Sequence, residues 1–252
     1  MAEGDTILRL ARRFQSTLVG ETVTAAAPSP RGGALGIERL DGRRLQSAEA
    51  RGKHLLLDFG EVSLHSHLGM SGGWHFYRHG AVWRRPRSSA WAVLSGGGWD
   101  VVQFGGPTLR VMPTSRLRRD PQIVRLGPDI LADDFDPEAV VATIGADPSR
   151  GLGDALLDQQ LVAGIGNIFK SEACFAAGVD PWRPVGDLSG EELRAVLSAA
   201  RTLMLEAVES GRHPQRIYRR RQGACPNCRG PISSRGQGDA NRTTYWCPRC
   251  QG

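Results

Sequence analysis

The sequence predicts a multidomain α+β protein: an N-terminal β-sandwich with flanking helices, a helical segment, and a C-terminal hairpin carrying four cysteines. Three observations predict it. Between residues 21 and 112, short β-branched or alternating runs recur between glycine-rich turns, the pattern of packed antiparallel sheets. Near residue 125 the apolar spacing changes to that of helices. Two CxxC units then follow, Cys225-Pro226-Asn227-Cys228 and Cys247-Pro248-Arg249-Cys250. These breaks set expected domains at residues 1–125, 126–215 and 216–252.

Taken in order, residues 5–19 form the first expected helix. Ile7, Leu10, Ala11, Phe14 and Leu18 lie on one face, Asp5 or Thr6 can cap the start, and Gly20 stops it. Strands are expected at 22–24, 54–59, 62–68, 91–94 and 101–104, with turns such as Ser95-Gly96-Gly97-Gly98 between them. His65 and His67 alternate along one strand; metal ligation is conceivable, but with no partner cluster a structural or DNA-facing role is favoured. Asp136-Pro137 opens a helix, because proline is pre-organised for the first helical position. A short helix is expected at 154–158, and another at 168–177 with Asn167 as its cap and Gly178 as its stop. The last begins at Ser189, where Glu192 completes a capping box, and stops at Gly211.

With 252 residues, 40% hydrophobic and 23% charged, the chain can bury a sizeable core. No apolar run reaches the ~20 residues of a membrane span, and the arginines of the first segment do not suit a secretory signal. Five cysteines, four of them in CxxC pairs, suit metal binding in a reducing compartment better than a disulfide framework, so a cytoplasmic location is expected. Charge is unevenly placed. Residues 212–252 hold nine arginines against a single acid, Asp239, whereas the whole chain is only +6. Such a tail suits a polyanion. The only lysines are Lys53 and Lys170, which makes Arg51-Gly52-Lys53-His54 a position of interest.

Four motifs carry chemistry. The two cysteine knuckles, eighteen residues apart, match a closed tetrahedral zinc site, with one structural zinc per chain expected on Cys225, Cys228, Cys247 and Cys250. Gly164-Ile165-Gly166-Asn167 precedes a helix N-terminus, where backbone N–H groups can approach a phosphate; a plain turn explains it as well. Met70, between Gly69 and Ser71, is a flexible apolar side chain suited to wedging into a base stack or to filling a core. The opening Met1-Ala2-Glu3-Gly4-Asp5-Thr6 is the fourth. Removal of Met1 before the small Ala2 would leave an α-amine, which titrates at roughly 7.7–8.0 and is a usable nucleophile near neutral pH. Glu3 beside it can move protons.

These segments occur in an order that resembles the formamidopyrimidine-DNA glycosylase and endonuclease VIII family over essentially the full length. They are Ala2–Thr6, Arg51–His54, Leu126-Gly127-Pro128-Asp129, Leu157–Asn167 and Tyr245–Gln251. Glu3-Gly4-Asp5-Thr6 is closer to the endonuclease VIII branch, while Met70 is closer to the formamidopyrimidine branch. The resemblance implies an N-terminal β-sandwich, a helix–two-turn–helix module over 126–215, and a zinc-finger hairpin. It implies a monomeric base-excision repair enzyme, associated with the nucleoid, acting on damaged duplex or single-stranded DNA with glycosylase and abasic-site lyase activities. By that likeness the Ala2 amine attacks C1′ and Glu3 is the acid/base. Lys53 assists β-elimination and Arg242 the second, δ-elimination. Asn167 and Arg125 contact phosphate, and Met70 fills the void left by base extrusion. The family nucleophile is normally proline, and Ala2 stands in its place here. A primary amine forms an imine that must be protonated to match a proline iminium as an electron sink. The alternative is therefore a weakly active or inactive member that binds lesions without cutting.

Overall fold

The computed structural model describes residues 2–221, 223–238 and 241–252, so Met1 and Asp239 lie outside the described residues. In chain order the elements are α1 (Gly4–Thr17), β1 (Thr24–Ala26), α2 (Pro30–Gly33), β2 (Ser47–Arg51), β3 (His54–Asp58), β4 (Val62–His67), β5 (Gly73–Arg78), β6 (Ala92–Gly96), β7 (Trp99–Phe104) and β8 (Thr108–Pro113). They continue with α3 (Thr114–Leu117), α4 (Pro121–Val124), α5 (Pro137–Gly145), α6 (Leu152–Leu157), α7 (Asn167–Ala177), α8 (Gly190–Ser210), β9 (Ser233–Gln237) and β10 (Arg242–Trp246). The chain divides into two compact units. One comprises residue 2 and residues 6–125, the other residues 3–5 and 126–252.

The first unit is built on two antiparallel four-stranded sheets, ordered β1-β6-β7-β5 and β2-β3-β4-β8. Its core joins Ile7, Ala11, Phe14 and Leu18 of α1 to Leu55, Leu57, Leu64, Leu94 and Val101 of the sheets. The stripe foreseen on α1 is thus the face that buries, and Phe14 meets Trp74 and Phe76 edge-on at 5.2 and 5.1 Å. Strands β2, β5 and β8 were not anticipated. β2 reads Ser-Ala-Glu-Ala-Arg, with only alanines on its apolar face, and forms because Ala48 and Ala50 pair with Leu57 and Leu55 of β3. Register then sets the neighbours: His54 lies opposite His67, and His65 opposite both Leu56 and Arg110.

The second unit is organised around α7. All nine residues from Asn167 to Phe175 are buried, including Lys170 and Glu172. α8 starts with the expected capping box at Ser189 and Glu192 and ends at Gly211 in the left-handed region (φ 69°). α5 opens on Asp136, whose carboxylate accepts the N–H groups of Glu138 and Ala139. The start of α7 differs from expectation: its cap is Gly166, and Asn167 is already helical. The reason is tertiary. The Asn167 amide donates to the Thr243 carbonyl at 2.7 Å instead of capping its own helix. β9 and β10 form a two-stranded hairpin in which Arg242 pairs with Gln237.

Candidate functional site

Within the second unit, Glu3 is 1% exposed and its carboxylate sits on the N-terminus of α7. Oε1 accepts the Ile168 N–H at 2.9 Å; Oε2 accepts those of Gly166 and Phe169 at 3.1 and 3.3 Å. Four amides of a helix start have no intrahelical partner, and the helix dipole favours an anion there. The anion is the protein's own carboxylate. Within the glycine-flanked turn foreseen as a phosphate cradle, the Gly166 N–H goes to Glu3 and the Gly164 N–H to Gln159 Oε1 at 3.1 Å. Gly166 is required for this seat, since a Cβ at that position would lie 2.2 Å from the Glu3 carboxyl carbon. Gly4 reinforces it by donating its N–H to the Gly164 carbonyl at 3.0 Å. Next along, Asp5 meets His213 Nε2 at 3.0 Å, and this hydrogen bond raises the histidine pKa.

α7 also holds the hairpin that carries Arg242. Besides the Asn167–Thr243 bond, the fully buried Lys170 ammonium donates to Thr244 Oγ1 at 2.5 Å and to Gln237 Oε1 at 3.3 Å. The Gln237 amide in turn donates to the Pro181 carbonyl at 2.8 Å. Burial pulls the Lys170 pKa down to about 8. Glu172, on the same helix, accepts three backbone N–H groups, from Arg216, Ile217 and Tyr218, and so fixes the segment entering the cysteine hairpin. Arg242 itself is exposed, while Asn167 is 5% exposed and its Oδ1 has no partner among the described residues. Sequence reasoning missed Lys170, Gln237 and Thr244. The available signal was the lysine's rarity, one of two in the chain.

The four cysteines converge as expected. Their sulfurs all lie within 4.8 Å of one another, with Cys228–Cys247 at 3.5 Å and Cys225–Cys250 at 3.8 Å. A tetrahedral site with metal–sulfur bonds of ~2.3 Å needs sulfur separations of about 3.8 Å, so the tetrad fits such an ion. Cys225 and Cys247 pack with Phe175, Ile217 and Ile232, which makes the tetrad the nucleus of a small core.

The first unit contains Ala2, Lys53, Met70 and Arg125. The Ala2 nitrogen donates to the Gly69 carbonyl at 3.3 Å. Ala2 lines a cavity of about 420 Å³ with Thr6, Arg9, Leu10, Leu68, Met70 and Trp74 among its walls. Met70 is 73% exposed at the tip of the β4–β5 loop, so it is not a core methionine. The loop turns there because Gly69 takes a left-handed φ of 58°. Lys53 follows Gly52 (φ 56°) in the β2–β3 turn; burial depresses the pKa of His54 and His67, and the Lys53 charge lies near enough to both to add to it. Arg125 is exposed at the C-terminal cap of α4.

A strand-rich unit presenting Ala2, a helical unit seating Glu3, and a cysteine-tetrad hairpin define a DNA glycosylase architecture. The comparisons agree. Residues 1–102 match the Formamidopyrimidine-DNA glycosylase N-terminal domain and residues 126–218 the Formamidopyrimidine-DNA glycosylase H2TH domain. The chain is 37% identical to the probable endonuclease 8 2 of Streptomyces coelicolor, across all of this chain and 94% of that protein. It is 33% identical to the DNA-(apurinic or apyrimidinic site) lyase Nei2 of Mycolicibacterium smegmatis, across all of this chain and 99% of the relative. The crystal structure of the MutM (Fpg) protein from Thermus thermophilus superposes with a TM-score of 0.82 at 30% identity, covering 99% of this chain and 98% of that one. The chain belongs to the formamidopyrimidine-DNA glycosylase and endonuclease VIII family. Among the described residues, no helix is long and apolar enough to cross a membrane.

Proposed function

We propose that this protein excises damaged bases and cleaves the resulting abasic site through a Schiff base on the Ala2 amine. The observation that carries the reading is the placement of Ala2: its nitrogen is held by the Gly69 carbonyl at the wall of a cavity shared with Met70. A free amine there attacks C1′ of a nucleotide extruded from the stack, while Met70 enters the space the base leaves. The resulting imine, protonated, withdraws electrons and acidifies the C2′ proton, so that the 3′ phosphate can leave. Glu3, next in the chain, carries protons during sugar-ring opening. Its three amide bonds keep the carboxylate in one place, as a positioned acid/base requires.

Lys53 and the exposed Arg242 serve β- and δ-elimination, and Arg125 and Asn167 hold phosphates. The partner is damaged DNA, bound by a monomer, which implies association with the nucleoid. The metal in the cysteine tetrad is zinc, which closes the hairpin that carries Arg242 and takes no part in the chemistry. Removal of Met1 decides the matter in practice. Protein whose N-terminus is acetylated or retains Met1 should lose cleavage of an abasic-site oligonucleotide, whereas material beginning at Ala2 should cleave it. Equal cleavage by both would reject the amine. Failure of both to cleave, with abasic DNA still bound, would favour the lesion-binding alternative raised by Ala2 replacing proline.

A further inference from the structure

One cluster in the first unit has no place in the chemistry above. His65, fully buried, offers Nδ1 to the Arg110 guanidinium at 3.0 Å and faces His54 Nδ1 through Nε2 at 2.8 Å. Arg110 is anchored beyond by Asp120 at 2.9 Å and Gln122 at 3.0 Å. The direction of every proton in this chain follows from one fact: a guanidinium donates and never accepts. A hydrogen on His65 Nδ1 would point at another donor, so Nδ1 is bare and the single ring proton of neutral His65 is on Nε2. That proton is donated to His54 Nδ1, which is therefore bare as well. The His54 proton is left on Nε2, an atom with no partner among the described residues.

Both rings are neutral in this arrangement. Burial, followed by the neighbouring positive groups, pulls His54 to about 3 and His65 to about 4. The relay thus converts a side chain that ordinarily exists as two tautomers into a donor of one fixed sense. Its position matters: His54 follows Lys53 directly, lies opposite His67 in the β3–β4 ladder, and its ring centroid is 4.8 Å from that of His67. A neutral imidazole N–H beside an ammonium suits an anionic oxygen, and a charge-assisted bond of this kind is about twice as strong as a neutral one.

We infer that His54 is a phosphate-binding residue, its Nε2–H oriented by Arg110 through His65 towards the phosphodiester that Lys53 holds. This rests on the proposed function, in which Lys53 assists β-elimination: an ammonium with that role lies against the 3′ phosphate that leaves. Arg110 and His65 are positioning residues and do not touch the substrate.

Two measurements test it. Long-range ¹H–¹⁵N spectra of the histidine-labelled wild-type protein should show His54 and His65 as single Nε2–H tautomers at pH 7. Arg110→Lys, which keeps a donor, should preserve them, and Arg110→Met should mix them. An Nδ1–H form of His54 in the wild type would overturn the relay. The second is binding to an oligonucleotide carrying a stable abasic-site analogue, with either a natural phosphate or an uncharged methylphosphonate 3′ to the site. His54→Ala should weaken binding about tenfold on the natural backbone and leave it unchanged on the methylphosphonate, the scale expected for one hydrogen bond to a charged group. His54→Gln, which retains a donor, should recover most of the loss. Equal losses on both backbones, or none on either, would overturn the phosphate contact. Should wild-type protein fail to prefer the abasic analogue over intact DNA, the proposed function fails, while the tautomer result stands by itself.

Discussion

Glu3→Gln is the substitution whose consequences follow most directly from the geometry. The carboxylate accepts three buried N–H groups, two on Oε2 and one on Oε1. An amide of the same shape can keep its oxygen towards Gly166 and Phe169, but its NH₂ then meets the Ile168 N–H, donor against donor. One buried N–H is left without an acceptor, at a cost of about 1–3 kcal/mol. Loss of the negative charge from the helix N-terminus adds roughly 1 kcal/mol. The sum is about 2–4 kcal/mol. At roughly 2–4 °C of melting temperature per kcal/mol for a chain of this size, the variant should melt about 10 °C lower. Activity should fall further, by about 10²–10⁴-fold, because the amide cannot exchange protons with the sugar. Thermal denaturation followed by circular dichroism, and cleavage of damaged-base and abasic oligonucleotides, read the two effects separately. A variant as stable as the wild type would refute the account of the helix-end seat. Undiminished cleavage would refute the acid/base role.

Other outcomes follow from other parts of the chain. Stripping the metal with a chelator, or replacing Cys247 by Ser, should loosen the β9–β10 hairpin and weaken DNA binding; metal analysis giving well under one equivalent of zinc in fresh protein would contradict the assignment. Arg242→Ala should shift cleavage products from δ- towards β-elimination on a sequencing gel, and an unchanged ratio would remove that role. Acid should destabilise the first unit. His54 and His65 titrate at about 3 and about 4 when folded, below their ordinary value of 6.5. The unfolded chain therefore binds more protons below pH 6.5, and stability is lost as pH falls from there towards 4. Between pH 7 and pH 5 the pair should cost roughly 2–4 kcal/mol in denaturant titrations. His65→Gln should flatten that slope, and an identical slope in the variant would contradict the neutral relay.

What could be read from the residues alone was what local pattern controls. The α1 stripe, the Ser189–Glu192 capping box, Asp136 before Pro137 and the paired cysteines each declare themselves within one or two turns of chain. Features that depend on distant residues did not. Strand β2 has no β-branched residue and exists because β3 pairs with it. Gly166 reads as an ordinary turn glycine until Glu3, over 160 residues earlier, is seen to occupy the space its Cβ would need. His65 and His67 look like a candidate metal pair by alternation, but His65 is partnered by His54 and Arg110 from the two flanking strands. Asn167 has the composition of a cap and is drawn away by Thr243. In each case a tertiary partner outcompeted the local one.

The central claim is that the Ala2 amine forms the covalent bond to DNA. Borohydride reduction of the protein on an abasic-site oligonucleotide, followed by proteolysis and mass spectrometry, tests it most directly. The account predicts a reduced adduct on the peptide beginning at Ala2, formed also by Lys53→Ala. An adduct on Lys53, or trapping that persists at full yield when the N-terminus is blocked, would contradict it.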